Sequence, residues 1–305
     1  MPTLNEALRA FLRVERSPFT NRHYRRNLNR LITAIGPQRD VRRVTHDDLA
    51  DYVDSLRGQP SISANTLQTY VRIMRTFFNW CVKEKYIAVS PAQALSVRSP
   101  GRRPGSRAVP SDDLRRMLDA ARYRPRDRAV LLFLVDTACR AGGLASLTLD
   151  RLHLEEGKAV LLEKGNRWHT VYFSPETAEA LRAWLEVRPE VGPGYVFTTT
   201  GSAGKPLSRV GVSDVVRRLS KLAGTDKVWT AHAVRHAVGH AYADAGVPVT
   251  VTQAKLGHSS PDITMRFYYP EGEQIVAETS RRLPLAPLRR PAVDGDKIIR
   301  LADFA

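Results

Sequence analysis

A small set of side chains in the second half of the chain is of the types that hold anionic oxygens, move protons or form covalent links. In HAVRH, His232 and Arg235 stand three residues apart, neighbours on one face of a helix. In AKLGHSS, His258 follows Gly257, which stands where a helix C-cap is expected and would present the imidazole at a helix end. DITMRFYYP places Tyr268 and Tyr269 on a short helix stopped by Pro270, TACR ends on Arg140, and Lys164 sits in a Lys-Gly-Asn-Arg turn. A guanidinium donates paired hydrogen bonds to phosphate oxygens, an imidazole transfers protons, and a tyrosine hydroxyl can serve as a covalent nucleophile. Taken singly, each also fits a bland role as a surface arginine, a capping histidine or a packed tyrosine. A second pattern, His232, His236 and His240 at i, i+4 and i+8, aligns three imidazoles, but no nearby carboxylate or cysteine completes a metal site. There is no phosphate-binding glycine loop ending in Lys-Ser/Thr, no His-Glu-x-x-His and no nucleophile elbow.

The elements that must position these groups are those of an ordinary globular protein. The chain has 305 residues, enough for about two domains, with 43% hydrophobic and 26% charged residues. Lys plus Arg number 47 against 31 Asp plus Glu, a formal charge of +16. Such a surplus favours a polyanion, because neutralising phosphates releases condensed counterions; nucleic acid leads, and a membrane surface comes second. The two cysteines, Cys81 and Cys139, make no disulfide framework and no zinc-finger spacing. No apolar run is long enough to span a bilayer, and MPTLNEALRAFLRVERS lacks the apolar segment of a secretory signal. The expected location is cytoplasmic and nucleoid-associated, without a membrane partner.

Apolar residues recur at helical spacing through the first hundred positions, as in Leu4, Leu8, Phe11 and Leu12, and in Tyr24, Leu28, Leu31, Ile32 and Ile35 before Gly36. Thr45 caps HDDLADYVDSL, and SANTLQTYVRIMRTFFNWCVKEKYI carries an apolar side from Tyr70 to Cys81. VRSPGRRPGSRAVPS is the clearest linker. Its Arg98, Arg102, Arg103 and Arg107 are equally well a strap along a DNA backbone or a solvated connection; Arg72 and Arg75 are further candidate DNA contacts. Beyond it, Ser111 is expected to cap DDLRRMLDAA, and RDRAVLLFLVDTACRAGGLASL reads as one apolar helix. KAVLLEKGNRWHTVYFS forms a hairpin, and helices follow near 175–187, 209–223, 231–245, 249–256 and 262–268.

In order and spacing, Arg140, Lys164, His232-x-x-Arg235, Leu256-Gly257-His258 and a tyrosine about ten residues on resemble the tyrosine recombinase (phage integrase) family, of the simple two-domain type without an arm-binding domain. The resemblance implies a mainly α protein: a helical, SAM-like core-binding domain over 1–96, a basic linker over 97–110, a mostly helical catalytic domain with a small β-hairpin over 111–285, and a tail over 286–305. It implies a site-specific recombinase that cleaves and rejoins DNA through a 3′-phosphotyrosyl link. Arg140 and Arg235 would hold the phosphate, Lys164 would protonate the leaving oxygen, His232 would assist proton transfer at the tyrosine, and His258 would bind a non-bridging oxygen. Family members place the nucleophile nine or ten residues after the histidine; position nine is Phe267, which selects Tyr268, with Tyr269 the second choice. No metal or nucleotide cofactor is implied. The implied partners are double-stranded DNA and further copies of the chain, as a homotetramer on two sites. The remaining alternatives are a type IB topoisomerase-like relaxer, a DNA-binding protein with a weakened site, and a metal-binding DNA protein using the His232 helix.

Two positions depart from the pattern. Many members carry an acidic residue where this chain has Gly143, and Asp136, four residues before Arg140, is the expected substitute partner if the helix continues. Thr137-Ala138-Cys139-Arg140 replaces the usual Thr-Gly-x-Arg. After the tyrosine, GEQIVAETSRRLPL is expected to form a helix that docks on a neighbouring copy.

Overall fold

The computed structural model describes residues 2–97, 108–163, 167–190, 194–201, 204–258 and 260–268. The chain divides into two compact units, Met1–Gly105 and Ser106–Ala305.

Among its described residues the first unit holds four α-helices, α1 (Leu4–Arg13), α2 (Pro18–Ile35), α3 (His46–Arg57) and α4 (Ala64–Lys83), and a short 3-10 turn at Val41–Arg43. Their starts follow from local chemistry. Thr3 with Glu6 and Thr45 with Asp48 form reciprocal capping boxes, and Ser63 caps α4. Gly36 at φ 115° ends α2. The periodic apolar residues close a core in which Phe11 meets Phe77 edge-on at 5.4 Å between ring centroids.

The second unit begins with α5 (Ser111–Ala120) and α6 (Pro125–Thr137). Ser111 is the first helical residue rather than the cap: extended Pro110 holds the cap position, which has no side-chain hydrogen bond. The long apolar helix expected through Arg140 is two elements. Ala138 turns left-handed at φ 50° and Arg140 is extended before the short α7 (Ala141–Ala145). The sheet is three antiparallel strands in order β1 (Leu152–His153), β2 (Lys158–Glu163) and β3 (Arg167–Tyr172), with Glu163 opposite Arg167. The two-residue β1 is too short to leave a period-two pattern in the sequence. Then come α8 (Pro175–Val187), α9 (Arg209–Leu222), α10 (Ala231–Asp244), α11 (Val249–Leu256) and α12 (Pro261–Tyr268). The core gathers around α6, whose Phe133, Leu131 and Leu134 are fully buried with Leu161, Leu181 and Phe197. Among the described residues, no helix is long and apolar enough to cross a membrane.

Candidate active site

Arg235 sits on α10, whose first turn is capped by Thr230, and is 2% exposed. Its guanidinium donates to the carbonyl of Ala138 at 2.5 Å and to that of Leu256. It therefore ties the left-handed end of α6 to the last residue of α11. Burial, with Arg140 nearby as the second cause, lowers its pKa to about 10, so it stays charged at neutral pH.

Arg140 is delivered by the break after α6 and is half-buried. Both of its terminal nitrogens approach the carbonyl of Gly257 at 3.4 Å, and Nη1 donates to the carboxylate of Glu163. The proposed pairing with Asp136 fails because the helix ends at Thr137, which removes the i, i+4 geometry. Asp136 Oδ2 instead accepts from Ser174 N, Ser174 Oγ and Thr177 Oγ1 at 2.6–2.7 Å, anchoring the start of α8.

Gly257 ends α11 at φ 57°, a left-handed cap suited to glycine, and turns His258 inward. The His258 Nδ1 lies 2.8 Å from the hydroxyl of buried Thr264. Burial first, then the charges of Arg235 and Arg140, bring its pKa down to about 4, so the ring is neutral at pH 7.

Tyr268 is 6% exposed, and its ring lies parallel to that of His258 at 6.2 Å. Its hydroxyl meets His236 Nδ1 at 2.9 Å, and its ring packs on the bare backbone of Gly239, where a Cβ would stand 2.4 Å from a ring carbon. Burial raises the phenol pKa, and Arg235 and Arg140 pull it back. The three imidazoles of α10 thus divide their work: His236 and His240 face the Tyr268 ring, while exposed His232 turns toward a cleft. Among the described residues no group of His, Cys, Asp or Glu could hold a metal ion.

That cleft, about 430 Å³, is lined by Arg140, Arg209, Arg217, His232 and Arg235 among others, and by no carboxylate among the described residues. Cys139 also lines it, but burial pushes its thiol up to about 11, far from a reactive thiolate. Residues the sequence reading missed are Glu163, His169, Arg209, Arg217 and Gly239; His236 entered it only as part of a metal-like pattern. His169 on β3 bonds the carbonyl of Ala254 at 3.0 Å and lies beside Gly257. Lys164, Tyr269, Arg98, Arg102, Arg103 and Arg107 lie outside the described residues, as does the expected helix after the tyrosine. In the first unit Arg72 and Arg75 line a separate groove with Asn65 and Gln68, and Arg75 donates to the carbonyl of Leu95.

Comparison with known proteins assigns the chain to a family. Residues 107–273 match the model of the phage integrase family, and residues 6–85 match the phage integrase N-terminal SAM-like domain. The chain is 31% identical over 277 residues to tyrosine recombinase XerC of Xylella fastidiosa, covering 88% of this chain and 92% of that protein. It is 26% identical over 281 residues to tyrosine recombinase XerD of Halalkalibacterium halodurans, with 87% and 93% coverage. Among solved structures, the Tn1549 transposon integrase in complex with a circular intermediate DNA shares the fold at a TM-score of 0.75 and 17% identity, covering 93% of this chain and all of that one. A lambda integrase dimer bound to a core site superposes at 0.71 and 16% identity, covering 97% and 98%. The chain belongs to the phage integrase family, the tyrosine recombinases.

Proposed function

We propose that the protein is a site-specific recombinase that binds double-stranded DNA and breaks and rejoins its strands through Tyr268. One observation carries the reading: Arg140, His232 and Arg235, from separate stretches of sequence, line one cleft with no carboxylate among its described lining, and Arg235 bonds the end of α11 that leads into His258, whose ring lies parallel to that of Tyr268 on α12.

In the proposed step, the Tyr268 oxygen attacks the backbone phosphorus and the bond from phosphorus to the 5′ oxygen breaks. The phenol proton passes to His232, and Lys164 supplies a proton to the leaving 5′ oxygen. One phosphoester replaces another, so bond energy is conserved and rejoining reverses the step. Arg140 and Arg235 neutralise charge on the phosphorane-like transition state, and neutral His258 donates from Nε2 to a non-bridging oxygen while Nδ1 accepts from Thr264. Tyr268, bonded to His236 and absent from the cleft lining, must swing toward the cleft before it can attack.

The named relatives are recombinases, which favours recombination over simple relaxation. Relatives crystallised as dimers on DNA support self-association, which we extend to a homotetramer joining two sites. The net charge of +16 supports residence on the nucleoid. The test is incubation with nicked duplexes tiled from DNA flanking the gene, in EDTA and without nucleotide. A protein–DNA adduct that survives detergent electrophoresis is expected. Tight binding to a duplex that yields neither adduct nor recombinant would contradict the reading.

A further inference from the structure

Glu163 is the last residue of β2, immediately before Lys164. Its side chain is 4% exposed, and its carboxylate grips Arg140 twice, accepting from the guanidinium and, at 3.3 Å, from the backbone N–H. Among the described residues it is the one ion-pair partner of Arg140. Gly143 on α7 lies alongside, where an added Cβ would stand 3.6 Å from Glu163 Cγ. The bare glycine leaves space beside a carboxylate that reaches Arg140 from the strand.

The electrostatics explain why an anion belongs there. Burial first, and repulsion from Arg140 second, lower the pKa of Arg235, and Arg140 is itself desolvated. A buried carboxylate offsets that repulsion and fixes a guanidinium whose other bonds, to the Gly257 carbonyl, are long. We propose that Glu163 is the positioning residue for Arg140, supplying from β2 the carboxylate that α7 lacks at Gly143. This rests on Arg140 holding the scissile phosphate.

The test is single-turnover adduct formation on a nicked duplex that the wild-type protein cleaves, comparing Glu163→Ala, Glu163→Gln, Gly143→Glu and the double swap Gly143→Glu/Glu163→Ala. Gly143 lies outside the left-handed region and its Cβ would make only ordinary contacts, so the swap is sterically open. Glu163→Ala is expected to slow cleavage about 10–100-fold while duplex binding is retained, as for other outer partners of a catalytic group. The double swap is expected to recover most of that loss, and Gly143→Glu alone to be slower than wild type because two carboxylates crowd one guanidinium. Wild-type cleavage by Glu163→Ala would overturn the proposal, as would a folded double swap no faster than Glu163→Ala. If Glu163→Ala does not fold, Glu163→Gln, which keeps the volume, decides: a slowed rate supports the role and an unchanged rate overturns it. Failure of the wild type to form an adduct on any duplex it binds would instead sink the functional reading itself.

Discussion

Arg235 is expected to be a structural strut as well as a phosphate ligand, and the two roles can be separated by measurement. Its guanidinium satisfies two carbonyls, Ala138 and Leu256, in a position 2% exposed to water. Lysine keeps the charge, but a single ammonium on a flexible stem cannot reproduce the fork that spans both carbonyls. Leaving one buried carbonyl unpaired costs about 1–3 kcal/mol. In a unit of this size each kcal/mol moves Tm by about 2–4 °C, so Arg235→Lys should melt on the order of 5 °C lower. Arg235→Ala orphans both carbonyls and opens a void, and should fall further. Differential scanning calorimetry on the full chain reads the melting order, and adduct formation at a temperature where all variants are folded reads the catalytic loss. That loss should be about 10²–10³-fold for alanine, the scale of removing one preorganised donor to a transition-state oxygen. Melting temperatures indistinguishable from wild type in both variants would refute the strut; equal cleavage would refute the phosphate role.

Other perturbations should separate similarly. His258 has a folded-state pKa near 4 against an ordinary 6.5, so the unfolded chain binds more protons between those values. Its contribution is therefore complete above about pH 6.5 and is lost as pH falls toward 4; in urea titrations His258→Gln should flatten that slope, with His169, lowered for the same reason, leaving a residue of it. An unchanged slope would contradict the burial argument. Gly239→Ala places a Cβ within 2.4 Å of the Tyr268 ring, so the ring must leave its seat against α10. Nitration of Tyr268 by tetranitromethane, followed by peptide mapping, should rise, and Tm should drop by the few degrees that about 1–3 kcal/mol of overpacking implies. Asp136→Ala should lower Tm by releasing the start of α8, yet leave cleavage per folded molecule unchanged, since its carboxylate serves Ser174 and Thr177 and not Arg140.

What could be read in the sequence was what repeats or follows chain order. The helices near 175–187, 209–223, 231–245 and 249–256 match α8 through α11 to within a residue, because apolar periodicity and Thr, Ser and Gly caps act locally. Thr230, Ser174 and Gly257 sit where such caps belong. The break at Ala138 was not legible, since a left-handed non-glycine residue inside an apolar run leaves no local mark, and the assumed helix carried Asp136 with it. Glu163 was invisible for a different reason. Its partnership with Arg140 is a long-range meeting of strand and helix break, and a glutamate at the end of a strand otherwise resembles a solvated charge. The same holds for Gly239 and His236, whose roles exist only once α12 packs on α10, and for Arg209 and Arg217, which look like an ordinary basic helix face.

The central claim is that Tyr268 forms the covalent bond to DNA. Trapping the adduct on a nicked duplex, digesting it and mapping the nucleotide-bearing peptide by mass spectrometry, with Tyr268→Phe and Tyr269→Phe in parallel, tests it most directly. The expected result is a phosphodeoxynucleotide on Tyr268 and no adduct from Tyr268→Phe, with Tyr269→Phe still reactive. Modification of Tyr269, or an adduct that persists in Tyr268→Phe, would contradict the assignment of the nucleophile.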